Sequence, residues 1–147
     1  MKIEHRAWVL VMDGEKFLLL ENAGDSELVN LQVIGEDAIR NPPTEAQGTD
    51  RPGRMADAGH GRSALAQTDW HALEKRRFAA DMADRLYHWA HEGRFSRLIL
   101  AADPKSLGAL RQHLHKEVCA RIVAELDEDL TNHPPDRIEA RLLEAAA

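Results

Sequence analysis

The chain has 147 residues, 44% hydrophobic and 30% charged, with a formal net charge of −6. Such a chain makes one ordinary globular domain with material for its own core, and its acidity argues against indiscriminate binding of nucleic acid. The single cysteine, Cys119, excludes an internal disulfide and a cysteine-based zinc cluster.

Ala7–Met12 (AWVLVM) is an almost wholly apolar run of β-formers, as expected of a strand buried on both faces. Asp13-Gly14 follows, a hairpin pair that tolerates positive φ. Lys16–Glu21 reads as a second strand and Glu27–Ile34 as a third, joined through Asn22–Ser26, so an antiparallel meander is expected. Glu36–Arg40 would then form one helical turn. Residues 41–69 carry no periodicity. Beyond them, Thr68 or Asp69 is placed to cap a helix running to about Glu92, with Gly93 as its terminator. Phe78, Met82 and Leu86 recur every four residues, and Ala79, Ala83, Trp89 and Ala90 widen that stripe. Glu74, Lys75, Asp81, Asp84, Arg85 and His88 lie outside it, on a wet face.

Arg97–Ala102 (RLILAA) reads as a buried strand. Asp103-Pro104 supplies a cap and a proline at the first helical position, and that helix carries Leu107, Leu110 and Leu114. Residues 117–127 fit either a helix (Val118, Ile122, Leu126) or an alternating strand; the strand reading is preferred over roughly Arg121–Asp127. Pro134-Pro135 opens a last helix with Ile138, Leu142 and Leu143 expected inside. The order βββ–loop–αβαβα implies one α/β domain over residues 1–147, with a mixed sheet of the ribonuclease-H-like arrangement and a right-handed helical portion. No apolar run approaches a membrane span. Acids and a turn interrupt the start, where a signal peptide needs an unbroken apolar stretch. A cytoplasmic location without membrane contact is therefore expected.

Several chemistries can be weighed. Nucleases of this architecture gather carboxylates around magnesium, for which Asp13, Asp103 and Asp127 or Asp129 are the candidates, with Glu74, Asp81 or Asp84 from the long helix. The fit is poor, and turn, capping and surface roles are the commoner account of such acids. His88 and His91 are spaced to share a helix face, but no second histidine completes the zincin pattern. His113 and His115 stand near a helix end, where positive charge suits the dipole. Ser63 lacks the second glycine of a nucleophile elbow, no phosphate-binding glycine motif follows a strand, and Cys119 reads as a packed residue. No metal and no cofactor is expected.

Residues 41–69 are the most informative part. Residues 1–40 hold four Lys/Arg against eight Asp/Glu, whereas Arg51, Arg54 and Arg62 face only Asp57 between positions 51 and 62. Long aperiodic connections inside compact domains are uncommon, and are either functional or solvated linkers. Gly53, Gly59 and Gly61 permit close backbone approach to a ligand, and the arginines can grip phosphates bidentately. His60 and Gln67 complete the polar set. Lys75, Arg76 and Arg77 cluster in the first two turns of a helix beginning near Trp70, where opposing the dipole suggests an external anion.

Asp50-Arg51-Pro52-Gly53-Arg54, Gly59-His60-Gly61-Arg62-Ser63-Ala64 and Glu74-Lys75-Arg76-Arg77-Phe78-Ala79 together resemble the bacterial family of host attachment proteins. Trp8–Gly14, Leu98–Ala102 with Pro104, Leu107-Gly108-Ala109-Leu110-Arg111, Glu125-Leu126 and Asp129-Leu130-Thr131 extend the resemblance over nearly the whole chain. That family is grouped with bacterial relatives of archaeo-eukaryotic peptide-chain release factors and corresponds to their central domain. In those factors a Gly-Gly-Gln loop before a long helix directs water onto the peptidyl-tRNA ester within the ribosome. The resemblance implies that residues 41–69 engage ribosome or tRNA, in peptidyl-tRNA hydrolysis or ribosome rescue. The chain has no Gly-Gly-Gln, so the loop's place is carried over and no catalytic residue is. The competing reading is a non-catalytic accessory protein influencing attachment to host cells, and a magnesium-dependent nuclease is a distant third. Neither the oligomeric state nor the substrate follows from the sequence.

Overall fold

β1 (Trp8–Met12) is buried at every position and forms the middle of a five-stranded mixed sheet. β2 (Lys16–Asn22) and β3 (Leu31–Ala38) extend the sheet antiparallel on one side. β4 (Leu98–Ala102) and β5 (Ile122–Leu126) extend it parallel on the other, giving the order β3-β2-β1-β4-β5. The chain is thus a single α/β domain. This computed structural model describes residues 1–38 and 64–145, without the side chains of 37, 38 and 64–72.

Alternation along the strands sends side chains to two cores. Trp8, Leu10, Met12, Leu98 and Leu100 face α1 (Ala64–His91), α2 (Pro104–Arg111) and the single turn α3 (Lys116–Cys119). Val9, Val11, Leu20 and Ile99 face α4 (Pro135–Glu144) through Ile138 and Leu142. The α1 stripe is as expected: Ala79, Met82, Ala83, Leu86 and Ala90 are buried, and Phe78 and Trp89 pack half-buried beside them. Trp89 meets Trp8 edge-on at 5.6 Å, and Phe78 lies 6.5 Å from Phe17. The helix therefore runs antiparallel to β1, its C-terminal end over Trp8 and its middle over the β1–β2 turn.

Five local readings need correction. The third strand is Leu31–Ala38 and not Glu27–Ile34. The carboxylate of Asp25 accepts from the N–H groups of Glu27 and Leu28, which folds those residues into a turn. Glu36–Ala38 then belongs to β3, not to a helical turn, and residues 39–40 lie outside the described residues. α1 begins at Ala64, upstream of Thr68 and Asp69, because Ala64, Leu65, Ala66 and Gln67 are good helix formers with no Gly or Pro among them. Leu143 is 43% exposed while Leu142 is buried. Cys119 is exposed, and Val118 fills the core in its place.

Other readings stand. Gly93 ends α1 with φ +73°, its N–H reaching Ala90 and that of Arg94 reaching Trp89, the paired bonds of a left-handed glycine terminator. Asp103 caps α2 by accepting from Ser106 N–H, with Pro104 at its first position. The ambiguous stretch 117–127 divides between α3 and β5.

Both sheet edges are irregular. Opposite Leu19/Leu20 the register skips Ile34 of β3, and opposite Leu98/Ile99 it skips Val123 of β5. Bulges of this kind twist an edge and discourage pairing with another chain.

At the end of the sheet where β1 begins, Asn22 is fully buried. Its amide nitrogen donates to the carbonyls of Ile3, Glu4 and Asp25, and its oxygen accepts from the N–H groups of Gly24 and Asn30. One side chain thereby ties the N-terminal segment to the β2–β3 connection. Arg6 beside it adopts φ 67°, a left-handed conformation costing about 1–2 kcal/mol. It is held there by its N–H donating to the Asn22 carbonyl at 2.9 Å.

Candidate functional site

Parallel strands β1 and β4 lie side by side and release the chain in opposite directions. β1 turns away into β2, while β4 passes through α2 to β5. In open α/β sheets the carboxyl ends of strands at such a divergence are the usual location of ligand sites. Asp13 and Gly14 follow β1 there, Asp103 follows β4, and Asp127 to Asn132 follow β5. α1 descends onto this end: a Cβ built on Gly14 would lie only 2.8 Å from Cδ of Lys75. Gly14 does not adopt positive φ. Its lack of a side chain serves the close approach of the lysine stem, while the turn itself is closed by Asp13.

The carboxylates here have structural work. One oxygen of Asp13 accepts from the N–H groups of Glu15 (2.7 Å) and Lys16 (2.8 Å), and the other from the Thr131 hydroxyl (3.3 Å). Asp103 caps α2. Asp129 accepts from the N–H and hydroxyl of Thr131. Glu74, Asp81 and Asp84 pair with Arg77, Arg85 and His88 along the exposed face of α1. Among the described residues no three His, Cys, Asp or Glu side chains gather to hold a metal ion. The carboxylate cluster that a magnesium nuclease needs does not form from Asp13, Asp103, Asp127 and Asp129.

The histidines lie at the other end. His88 and His91 flank Tyr87, whose ring also lies 4.3 Å from that of His115. His91 sits 3.5 Å from Glu117. His115 caps the start of α3, its Nδ1 accepting from Glu117 N–H at 3.1 Å. The ring therefore acts as an acceptor at a helix start, the reverse of the cation expected at a helix end.

Of the residues singled out in the sequence, Arg51, Gly53, Arg54, Gly59, His60, Gly61 and Arg62 lie outside the described residues. Gln67 is in the first turn of α1. Arg77 is exposed on that helix and donates to Glu74 at 3.3 Å. Because α1 starts at Ala64, Lys75, Arg76 and Arg77 stand three turns from its beginning, beyond the reach of the terminal dipole. The dipole argument for an external anion therefore fails. Lys16 and Lys105 were not singled out at all. Lys16 reads as the first residue of a strand and Lys105 as the second of a helix; only the β1–β4 pairing puts them at one end of the sheet.

No helix among the described residues is long and apolar enough to cross a membrane. No curated protein matches the chain. A family model described as bacterial archaeo-eukaryotic release factor family 12 matches residues 6–142. That match carries the release-factor kinship expected from the motifs, and nothing supports the host-attachment name. The chain belongs to bacterial archaeo-eukaryotic release factor family 12.

Proposed function

We propose that this protein engages the ribosome or tRNA through residues 41–69, as a release-factor-like domain acting in peptidyl-tRNA hydrolysis or ribosome rescue in the cytoplasm. The observation that carries this reading is the family match across residues 6–142. Two further supports are three arginines against one acid between positions 51 and 62, and a segment whose last residues, 64–69, already belong to the long helix α1. The order of elements agrees with the ribonuclease-H-like central domain of such factors. Arg51, Arg54 and Arg62 would bind phosphates, and Gly53, Gly59 and Gly61 would allow the backbone to approach them. His60, Gln67 and Arg77 are secondary contacts in this reading. Without Gly-Gly-Gln, no residue is assigned the role of directing water.

The test of activity is release of labelled peptide from stalled ribosomes carrying peptidyl-tRNA, comparing the intact chain with one whose residues 41–62 are replaced by a short glycine-serine linker. Release by the intact chain alone supports hydrolysis through this segment. Binding without release by either chain restricts the role to recognition.

A further inference from the structure

The carboxyl end of β1 and β4 has an imbalance that the net charge conceals. Three of its acids, Asp13, Asp103 and Asp129, accept hydrogen bonds from backbone N–H groups, and Glu15 and Asp127 are exposed. Its cations have fewer partners. Among the described residues Lys16 donates only to the neutral amide of Asn132, at 2.7 Å. Lys75, Arg76 and Lys105 are exposed, and none has an acidic partner among the described residues.

Elsewhere Arg77, Arg85, Arg94, Arg111 and Arg141 each face a carboxylate, while Arg6, Arg97, Lys116 and Arg137 have none among the described residues and are scattered over the surface. The Lys75 stem also lies against the backbone at Gly14, where a Cβ would leave no room. α1 and α2 both start from this end of the sheet, so Arg76 and Lys105 project from parallel helices beside it.

We propose that Lys16, Lys75, Arg76 and Lys105 form a phosphate-contacting surface for an RNA backbone. The inference rests on the ribosome-or-tRNA reading above and deepens it by naming a second contact, outside residues 41–69. An unpaired cation gains a phosphate without first losing a carboxylate. Arg94, already paired with Glu92 at the other end of the sheet, gains less. A backbone contact of this kind carries no sequence preference; it supplies affinity and orientation.

The test is co-sedimentation of the intact chain with purified ribosomes between about 50 and 200 mM salt. Each phosphate contact contributes a slope of roughly −0.7 to −0.9 in log affinity against log salt. Losing two contacts in Lys75→Ala plus Arg76→Ala therefore lowers the slope by about 1.4 to 1.8. Across that fourfold rise in salt, the wild type should lose about tenfold more affinity than the variant. Charge-preserving Lys75→Arg plus Arg76→Lys should keep the wild-type slope, and so should Arg94→Ala. A double alanine variant that melts like the wild type and keeps its affinity and slope overturns the proposal while leaving the partner reading intact. If the wild type itself does not sediment with ribosomes at low salt, the partner reading fails and this proposal falls with it. A loss of slope in Arg94→Ala equal to that of the double variant also overturns it, since the effect would then follow total charge.

Discussion

Asn22→Asp is the most searching perturbation of the fold. It preserves the shape of a fully buried side chain and exchanges only its donor nitrogen for an oxygen. That nitrogen stands 3.0–3.1 Å from three carbonyl oxygens, of Ile3, Glu4 and Asp25. The two hydrogens it contributes are lost and three acceptors are left facing another acceptor. At about 1–3 kcal/mol for each unsatisfied buried group, losing two donors costs roughly 2–6 kcal/mol. That is a large part of the 5–15 kcal/mol typical of a whole domain.

The loss should depend on pH. Burial among carbonyls favours the protonated acid, raising its folded pKa above the unfolded value of about 3.9. Between those two values the folded state binds more protons, so stability falls as pH rises, by up to about 1.4 kcal/mol per unit. Below them, the acid O–H replaces one of the lost donors. The assay is urea unfolding of wild type, Asn22→Asp and Asn22→Ala at pH 4 and pH 7. The deficit of Asn22→Asp relative to the wild type should be larger at pH 7, and that of Asn22→Ala should be the same at both. An Asn22→Asp deficit below about 0.5 kcal/mol at pH 7, or one independent of pH, would refute the reasoning.

Two further outcomes follow from the packing. Arg121 donates to the carbonyls of Ala90 and Phe95 at 2.8 and 2.7 Å and lies over the Phe95 ring. Arg121→Ala should cost about 1.5–3 kcal/mol in urea unfolding by freeing the end of α1; Arg121→Lys recovering the whole loss would count against the two-carbonyl geometry. Hydrogen bonds from Arg141 hold the Glu128 carboxyl below its ordinary value, and N–H bonds from Leu28 and Glu27 do the same for Asp25. A lowered folded pKa stabilises above the unfolded value and is lost as pH falls through the folded one. Melting temperature should therefore drop below about pH 4, less steeply in Arg141→Ala; identical acid limbs would contradict the role given to that pair.

How far the sequence could be read depends on the range of the interaction. The α1 stripe, the Asp103 cap and the Gly93 terminator were legible because each depends on neighbours within a turn or two. The start of β3 was misplaced because Asp25 and Asn22 take N–H groups that a strand pattern assigns to the sheet. The start of α1 was missed because Thr68 and Asp69 look like caps while Ala64–Gln67 simply favour helix. The turn and cap roles of Asp13 and Asp103 were legible because they too depend on near neighbours, and only the contact of Asp13 with Thr131, far along the chain, was not. The four cations at the carboxyl end of the sheet were invisible as a group, because β1 and β4 are adjacent in space and far apart in the chain.

The central claim, that residues 41–69 contact the ribosome or tRNA, is tested most directly by ribosome sedimentation of Arg54→Ala plus Arg62→Ala beside the wild type. The account predicts that the wild type pellets with ribosomes and that the double variant is weakened, with a shallower dependence on salt. Equal partitioning of the two proteins at low salt would contradict it.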